Sequence, residues 1–245
     1  MTYMDGQVFY FATHFRYKLA EIPPALLFRH TFVPKSKTMN NKTYYHLILD
    51  RSGSMAESWD VTLRAYKAQI NAICRTASRF TDQQVMFSTC VFNQRLEFPG
   101  GIVPVGRGEL PSIHHISPAG NTALLDAIGE SIHRIEFTAA AELEARQASV
   151  VVVVLTDGHE NASTRFDAAA IQREMSRTRE TGLWSFTFIG ADFDVTEMAE
   201  RFNVGLQSRK NINKHQMPEF FQSTGRSMDV YLNRKRSGMI SKDFL

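Results

Sequence analysis

The sequence predicts an α/β fold with a doubly wound, mostly parallel sheet, one antiparallel edge strand and helices on both faces. Short apolar runs that do not alternate with polar residues, such as the β-branched run at 150–157, are typical of strands covered on both faces. Between these runs, apolar residues recur at steps of three and four, which indicates helices. Strands and helices alternate along the chain, and this order favours right-handed crossovers on a parallel sheet.

Each element follows from its local pattern. The predicted strands lie at 44–50, 85–92, 95–98, 150–157 and 184–189, with a weak one at 204–206. The strand at 95–98 follows its predecessor after two residues, so we expect it to return as an antiparallel hairpin. The predicted helices lie at 63–77, 125–135, 168–178, 195–202 and 217–232. Asp167 stands at the N-cap position of the third of these helices.

Composition bounds the class of protein. The 245 residues, 43% of them hydrophobic, are enough for one large domain with extensions. No run approaches the about 18 consecutive apolar residues of a membrane-spanning helix, and the N-terminus lacks the apolar core of a secretory signal. The two cysteines, Cys74 and Cys90, have no spacing typical of a disulfide or metal framework. We therefore expect a soluble, cytoplasmic protein with reduced thiols.

Charge divides the chain into three parts. Residues 1–38 carry five basic and two acidic residues, residues 39–207 carry 15 and 20, and residues 208–245 carry eight and three. This asymmetry marks residues 39–207 as a distinct unit. With the closing C-terminal helix added, we expect a domain at 39–236 and a C-terminal tail at 237–245. We expect residues 1–38 to be a weakly ordered extension, or upstream sequence included through a wrong start site.

Two predicted strands end in an aspartate, and hydroxyl residues accompany both. Asp50 opens the loop Asp50-Arg-Ser52-Gly-Ser54, whose alternate residues point the same way, and Asp157 ends the β-branched run. Thr122 follows a Pro- and Gly-containing loop where a helix begins. Ligands of open α/β sheets bind beyond the carboxyl ends of strands, so these five side chains are candidate metal ligands. All are hard oxygen donors, which favours Mg²⁺, or Mn²⁺ or Ca²⁺, over zinc.

These motifs resemble the metal-ion-dependent adhesion site of von Willebrand factor type A domains. Asp50-x-Ser52-x-Ser54, the later Gly-Asn-Thr122 and the strand-terminal Thr-Asp157-Gly occur in the order and at the element ends of that site. The resemblance implies a Rossmann-like von Willebrand A fold and a Mg²⁺-binding interaction module, in which a partner's Asp or Glu completes the metal shell.

The resemblance spans about residues 43–207 and includes the closing helix. The stretch that ends in His159-Glu160-Asn-Ala-Ser163 is similar to small intracellular bacterial and phage members of the family. Asn121, Asp126 and Glu160 lie close enough in sequence to support the metal ligands from behind, or they could be ordinary solvated residues. The resemblance leaves open whether such a domain acts alone or beside an ATPase.

We expect a binding module and not an enzyme. The sequence has no Gly-x-Ser-x-Gly elbow, no His-Glu-x-x-His zinc motif and no Walker A loop. One alternative is a metal-dependent hydrolase, with His159 as the candidate base at an open metal position. A second is a nucleic-acid-associated protein acting through the basic flanks, although no recognition motif accompanies them. We do not expect a membrane or nucleic acid to be the partner.

Overall fold

The computed structural model describes residues 41–245, which form one mixed sheet flanked by helices. The strands are β1 (Lys42–Asp50), β2 (Gln84–Phe92), β3 (Leu96–Glu97), β4 (Val103–Pro104), β5 (Ala148–Thr156), β6 (Trp184–Ala191) and β7 (Arg209–Ile212). The helices are α1 (Trp59–Arg79), α2 (Leu124–Glu144), α3 (Ala168–Glu180), α4 (Thr196–Arg201) and α5 (Met217–Arg236). None of these helices is long and apolar enough to cross a membrane. The extension predicted at 1–38 lies outside the described residues, and so do residues 39–40 at the start of the predicted domain.

The predicted fold class is confirmed. The strands follow the order β3-β2-β1-β5-β6-β7, and β1, β2, β5, β6 and β7 are parallel to one another. The antiparallel hairpin strand at the β2 edge is present as β3. A second short strand, β4, also pairs antiparallel with β2; it is absent from the predicted strands, and one of its two residues is a proline, which is unusual inside a strand.

The weak strand expected at 204–206 is wrong. The seventh strand lies at Arg209–Ile212, and Leu206–Ser208 form a 3₁₀ turn before it. Val204 is buried, but it packs in the hydrophobic layer with α2, α3 and α4 and does not belong to the sheet. An edge strand that exposes Lys210 and Asn211 gives no apolar pattern in the sequence.

Two hydrophobic layers hold the helices on the sheet. Alternate residues of β5 feed the two layers, with Val150 and Val152 on the face covered by α2, α3 and α4. Val151 and Val153 lie on the opposite face, which α1 and α5 cover. All of these side chains are fully buried, and each contributes about 1.5–3 kcal/mol relative to an exposed side chain. Burial on both faces explains why this strand is apolar without alternation.

The chain leaves the central strands in opposite directions. β1 continues into α1 on one face of the sheet, whereas β5 continues into α3 on the other. Leu49 of β1 is the register partner of Leu155 in β5, so Asp50 lies beside Thr156, and Asp157 follows directly. Connections that part in this way leave a crevice at the carboxyl edge of a parallel sheet.

Residues 237–245 pack against the domain. Phe244 is buried and makes edge-on ring contacts with Tyr45 of β1, at 5.6 Å between centroids, and with Tyr231 of α5, at 6.1 Å. The segment after α5 therefore contributes to the core on the α1 and α5 face.

Candidate metal centre

Asp50 is fully buried at the end of β1. Its Oδ1 accepts a hydrogen bond from the Ser52 amide at 2.7 Å, and its Oδ2 accepts one from the Thr156 hydroxyl at 2.7 Å. Burial raises the pKa of Asp50, and the nearby charge of Asp157 adds to this, although the hydrogen bonds act in the opposite direction. Within residues 41–245, no basic side chain forms an ion pair with Asp50, so a cation at this point would meet an uncompensated carboxylate.

Two serine hydroxyls link Asp50 to Asp157. Ser52 Oγ lies 3.1 Å from Ser54 Oγ, and Ser54 Oγ donates to Asp157 Oδ1 at 2.6 Å. The Gly53 amide between the serines donates to the Gly120 carbonyl at 2.9 Å, which ties this loop to the loop that precedes α2. The structure thus brings four of the five candidate ligands into one continuous hydrogen-bonded chain.

Thr122 completes the group from the loop before α2. A Cβ on Gly158 would lie 3.8 Å from Ser54 Oγ and 3.9 Å from Thr122 Oγ1, so both hydroxyls flank this glycine. The helix itself begins at Leu124 with Ala123 at the N-cap, and its first-turn amides at Leu125 and Asp126 donate to the side chains of Glu160 and Ser163. Thr122 therefore does not act as the helix cap, and its buried hydroxyl faces the same crevice as Ser54.

The loop after β5 holds Thr122 in place. Asn161 Oδ1 accepts from the Thr122 amide at 2.8 Å, and the Asn161 amide donates to the Thr122 carbonyl at 3.0 Å. Glu160 Oε2 accepts from the Leu125 amide at 2.9 Å, while its Oε1 accepts from the Ser163 amide at 2.7 Å. These bonds fix the position of one candidate ligand relative to the strand that carries another, Asp157.

The three residues proposed to stand behind the ligands have different roles. Asp126 is buried and accepts hydrogen bonds from the backbone amides of residues 164–166 at 2.9–3.0 Å. Like Glu160, it stabilises the loop after β5 and is not an ordinary solvated acid. Asn121 is exposed, and its backbone amide donates to Gln94 Oε1 at 2.9 Å.

Gly120 is required by the backbone of the Thr122 loop. Its φ of +78° lies in the left-handed region that favours glycine, and a Cβ there would lie 1.9 Å from Gln94 Oε1. The Asn93 side chain donates to the Ala119 carbonyl at 2.6 Å and holds the other side of the same loop.

Three residues at the site are missing from the sequence-based set. Thr156 and Asn161 flank Asp157 in the same stretch of sequence, so their spacing could have suggested a supporting role. Lys214 is different, since its Nζ donates to Asp157 Oδ2 at 2.6 Å from 57 residues away. In the sequence it belongs to the basic C-terminal segment, and no local pattern connects it to the site.

The donor set fits a hard divalent cation. Among residues 41–245, no group of three or more His, Cys, Asp or Glu side chains is arranged to hold a metal ion. The crevice instead offers two carboxylates and three hydroxyls, and these hard oxygen atoms are the ligands that Mg²⁺ and related ions prefer. The space beside Gly158, which has no side chain to fill it, is open to both Ser54 and Thr122.

His159 lies next to the site but contacts an aromatic ring. Its imidazole meets the Phe193 ring edge-on, at 4.7 Å between centroids. A general base is usually oriented by a hydrogen-bonding partner such as a carboxylate, and a phenyl ring cannot act in that way.

The sequence matches no protein-family model and no curated protein with significant similarity. Solved structures do match the fold. Proximal thread matrix protein 1 from the mussel byssus is 17% identical with a TM-score of 0.50, and the match covers 78% of this chain and 46% of that one. A von Willebrand factor type A protein from Catenulispora acidiphila is 18% identical with a TM-score of 0.50, over 77% and 43% of the two chains.

A third match is the open conformation of the pilus adhesin SpaC from Lactobacillus rhamnosus GG. It is 11% identical with a TM-score of 0.54, over 77% of this chain and 30% of the adhesin. The chain thus spans less than half the length of each of these proteins. At these identities the likeness concerns the fold, and it shows that the described residues adopt a von Willebrand A-like fold, as the resemblance of the motifs implies.

Proposed function

We propose that this protein is a divalent-cation-dependent interaction module that engages an acidic group of a protein partner. Asp50, Ser52, Ser54, Thr122 and Asp157 would hold the cation, with Mg²⁺ the preferred ion and Mn²⁺ or Ca²⁺ as alternatives. The observation that carries the proposal is the convergence of these five side chains at the carboxyl edge of the sheet, where β1 and β5 send the chain to opposite faces.

The balance of charge at the site favours binding of an acidic ligand. The charges of the two carboxylates, Asp50 and Asp157, balance a divalent ion once Asp157 leaves its ion pair with Lys214, and the three hydroxyls add oxygen ligands without further charge. A bound ion of this kind retains exchangeable water positions, so it supplies a point to which an Asp or Glu of a partner can bind. Ser54 is the exposed member of the set, which places the accessible side of the site at the loop after β1.

The surroundings of the proposed metal site favour binding over catalysis. The hydrolase alternative needs a base next to the metal, and His159 is the candidate. Its ring contact with Phe193 places an apolar neighbour where an orienting acceptor is needed. We therefore propose that the protein is not an enzyme.

The contacts of the basic C-terminal segment favour a protein partner over nucleic acid. Arg209 pairs with Glu200 at 3.0 Å, and Arg236 pairs with Asp82. Lys235 is buried against β1, where phosphate cannot reach its ammonium group. These internal contacts reduce the basic surface available for a phosphate backbone, which needs several free cations. The proposed partner is a cytoplasmic protein, either an ATPase or another protein with an exposed acid.

Thr122 gives the sharpest test of this mechanism. Its hydroxyl neither caps α2 nor bonds another group within residues 41–245, so Thr122→Ala should lower the free energy of unfolding by less than about 1 kcal/mol. The variant should still bind Mg²⁺ through the two carboxylates. It should lose most of the partner recovered by a tagged pull-down in Mg²⁺, because the hydroxyl shapes the metal shell that the partner's acid completes.

The matched control is Thr138→Ala, which removes the same hydroxyl from the exposed surface of α2. The control should capture the partner as the unmodified protein does, and a chelator should abolish capture by both. If Thr122→Ala captures the partner undiminished, the adhesion-type mechanism is wrong and the cation is better regarded as structural.

A further inference from the structure

The ammonium group of Lys214 lies on one of the candidate metal ligands. Its Nζ is 2.6 Å from Asp157 Oδ2 and also donates to the Ser54 carbonyl at 3.2 Å. The Asp157 side chain has 0% exposure and that of Lys214 has 19%, so water screens this pair weakly. The contact joins the turn before α5 to two loops of the metal centre.

The backbone that carries Lys214 is fixed on both sides. Its amide donates to Asp192 Oδ1 at 3.3 Å, which ties it to the end of β6. The neighbouring Asn213 caps a 3₁₀ turn at Lys214–Gln216, since its side chain accepts the His215 amide at 2.9 Å and its carbonyl accepts the Gln216 amide at 2.9 Å. The side chain thus reaches the site from an anchored turn.

The two acids of the site differ in their partners, because Lys214 pairs with Asp157 and not with Asp50. Both oxygens of Asp157 are occupied, Oδ1 by the Ser54 hydroxyl and Oδ2 by the lysine. Asp50 accepts from the Ser52 amide and the Thr156 hydroxyl, and no basic side chain of residues 41–245 pairs with it. One acid is therefore already neutralised by the chain, while the other is available to an external cation.

We propose that Lys214 is a built-in competitor of the divalent cation, and that it sets a low metal affinity by holding Asp157. This inference rests on the proposed function, since it assumes that Asp157 is a metal ligand. A metal ion that binds Asp157 must displace the ammonium or remain close to it, and either event costs free energy because like charges repel. Lys214 acts on the metal site through Asp157 and offers no ligand atom of its own.

A purely structural role makes the opposite prediction. If Lys214 only tied the start of α5 to Ser54 and Asp157, its removal would loosen the site and weaken metal binding. If it competes with the metal, its removal frees Asp157 and strengthens binding. The sign of the change in affinity therefore separates the two roles.

The experiment compares Mg²⁺ and Mn²⁺ binding by calorimetry in the unmodified protein and in Lys214→Met. We expect the variant to bind on the order of 10-fold more tightly, equivalent to about 1.4 kcal/mol. Lys214→Arg keeps the positive charge and should stay within about 3-fold of the unmodified protein. Lys210→Met is the matched control, since it removes the same charge from an exposed position of β7 and should leave the affinity unchanged.

Thermal melting in a chelator checks that Lys214→Met is folded, and Lys214→Gln serves in its place if it is not. Equal or weaker metal binding by the folded variant, with clear binding by the unmodified protein, would overturn the role of Lys214 and leave the metal site intact. If neither the unmodified protein nor the variant binds either ion at millimolar concentration, the metal site itself is wrong. Tighter binding in both Lys214→Met and Lys210→Met would also overturn the proposal, because net charge alone would explain it.

Discussion

Strand β1 has a buried ionisable group at each end. At its carboxyl end stands Asp50, whose pKa burial raises. At its amino end, Lys235 of α5 donates to the Lys42 carbonyl at 2.5 Å and to the Thr43 hydroxyl at 2.6 Å. Burial lowers the pKa of Lys235 to about 7. The same desolvation thus acts on an acid at one end of the strand and on a base at the other.

The two ends differ in what surrounds the buried group. The lysine meets neutral oxygens of β1 and is enclosed by the packing of α5, so its hydrogen bonds are made within the domain. Asp50 is joined by a second acid and by hydroxyls on loops that part to opposite faces of the sheet. Burial of a charge alone does not make a binding site. Convergence of further ligands at an accessible edge of the sheet does.

Asp50 and Asp126 are both buried acids, but we expect only Asp126 to be needed for the fold. Asp126 accepts three backbone hydrogen bonds, so Asp126→Asn should lower the free energy of unfolding by about 3 kcal/mol. Asp50→Asn removes a charge that burial disfavours and should cost less than about 1 kcal/mol. Urea denaturation in a chelator measures both values. Equal losses would mean that Asp50 is a structural acid.

The lysine end can be tested through pH. Because the pKa of Lys235 is about 7 in the folded protein and 10.5 ordinarily, the unfolded chain holds more protons between these values. The free energy of unfolding should therefore rise with pH in this window, and Lys235 should contribute about 2 kcal/mol of the rise between pH 7 and pH 9. Denaturation of Lys235→Met at both pH values isolates this contribution. A variant with the same pH dependence as the unmodified protein would show that the ammonium is not desolvated.

Asn161, which holds the Thr122 amide, tests the end of β1 that carries the metal centre. Asn161→Ala leaves the Thr122 amide without its acceptor, which should cost about 1 kcal/mol of stability. Metal affinity should fall about 10-fold, as expected for a residue that orients a ligand. Asn121→Ala, at an exposed position in the neighbouring loop, is the control and should change neither melting nor calorimetric affinity. Identical behaviour of the two variants would remove Asn161 from the site.

Sequence patterns were sufficient where a feature is local. The run that forms β5 is apolar because both of its faces are buried, and this is visible residue by residue. The grouping of Asp50 with Asp157 follows from parallel pairing, which brings the carboxyl ends of neighbouring strands together. Their roles as metal ligands stay a prediction.

Contacts between distant segments were not predictable in this way. Lys214 meets Asp157 only because β7 lies at the sheet edge next to β6, and β7 itself is too polar to show a strand pattern. Asp126 serves the loop at 164–166, about 40 residues later, so its role depends on how α2 packs against that loop. Such roles depend on tertiary packing, which single-sequence patterns do not contain.

A calorimetric titration of the metal-free protein with Mg²⁺ measures whether the end of β1 that carries Asp50 binds a metal ion. The unmodified protein should bind one ion, and Asp50→Asn should bind at least about 100-fold more weakly, because its buried carboxylate is lost. Asp82→Asn, which removes an equal charge far from the site in sequence, should bind as the unmodified protein does. Undiminished binding by Asp50→Asn, or no binding by the unmodified protein at millimolar Mg²⁺, would contradict the account.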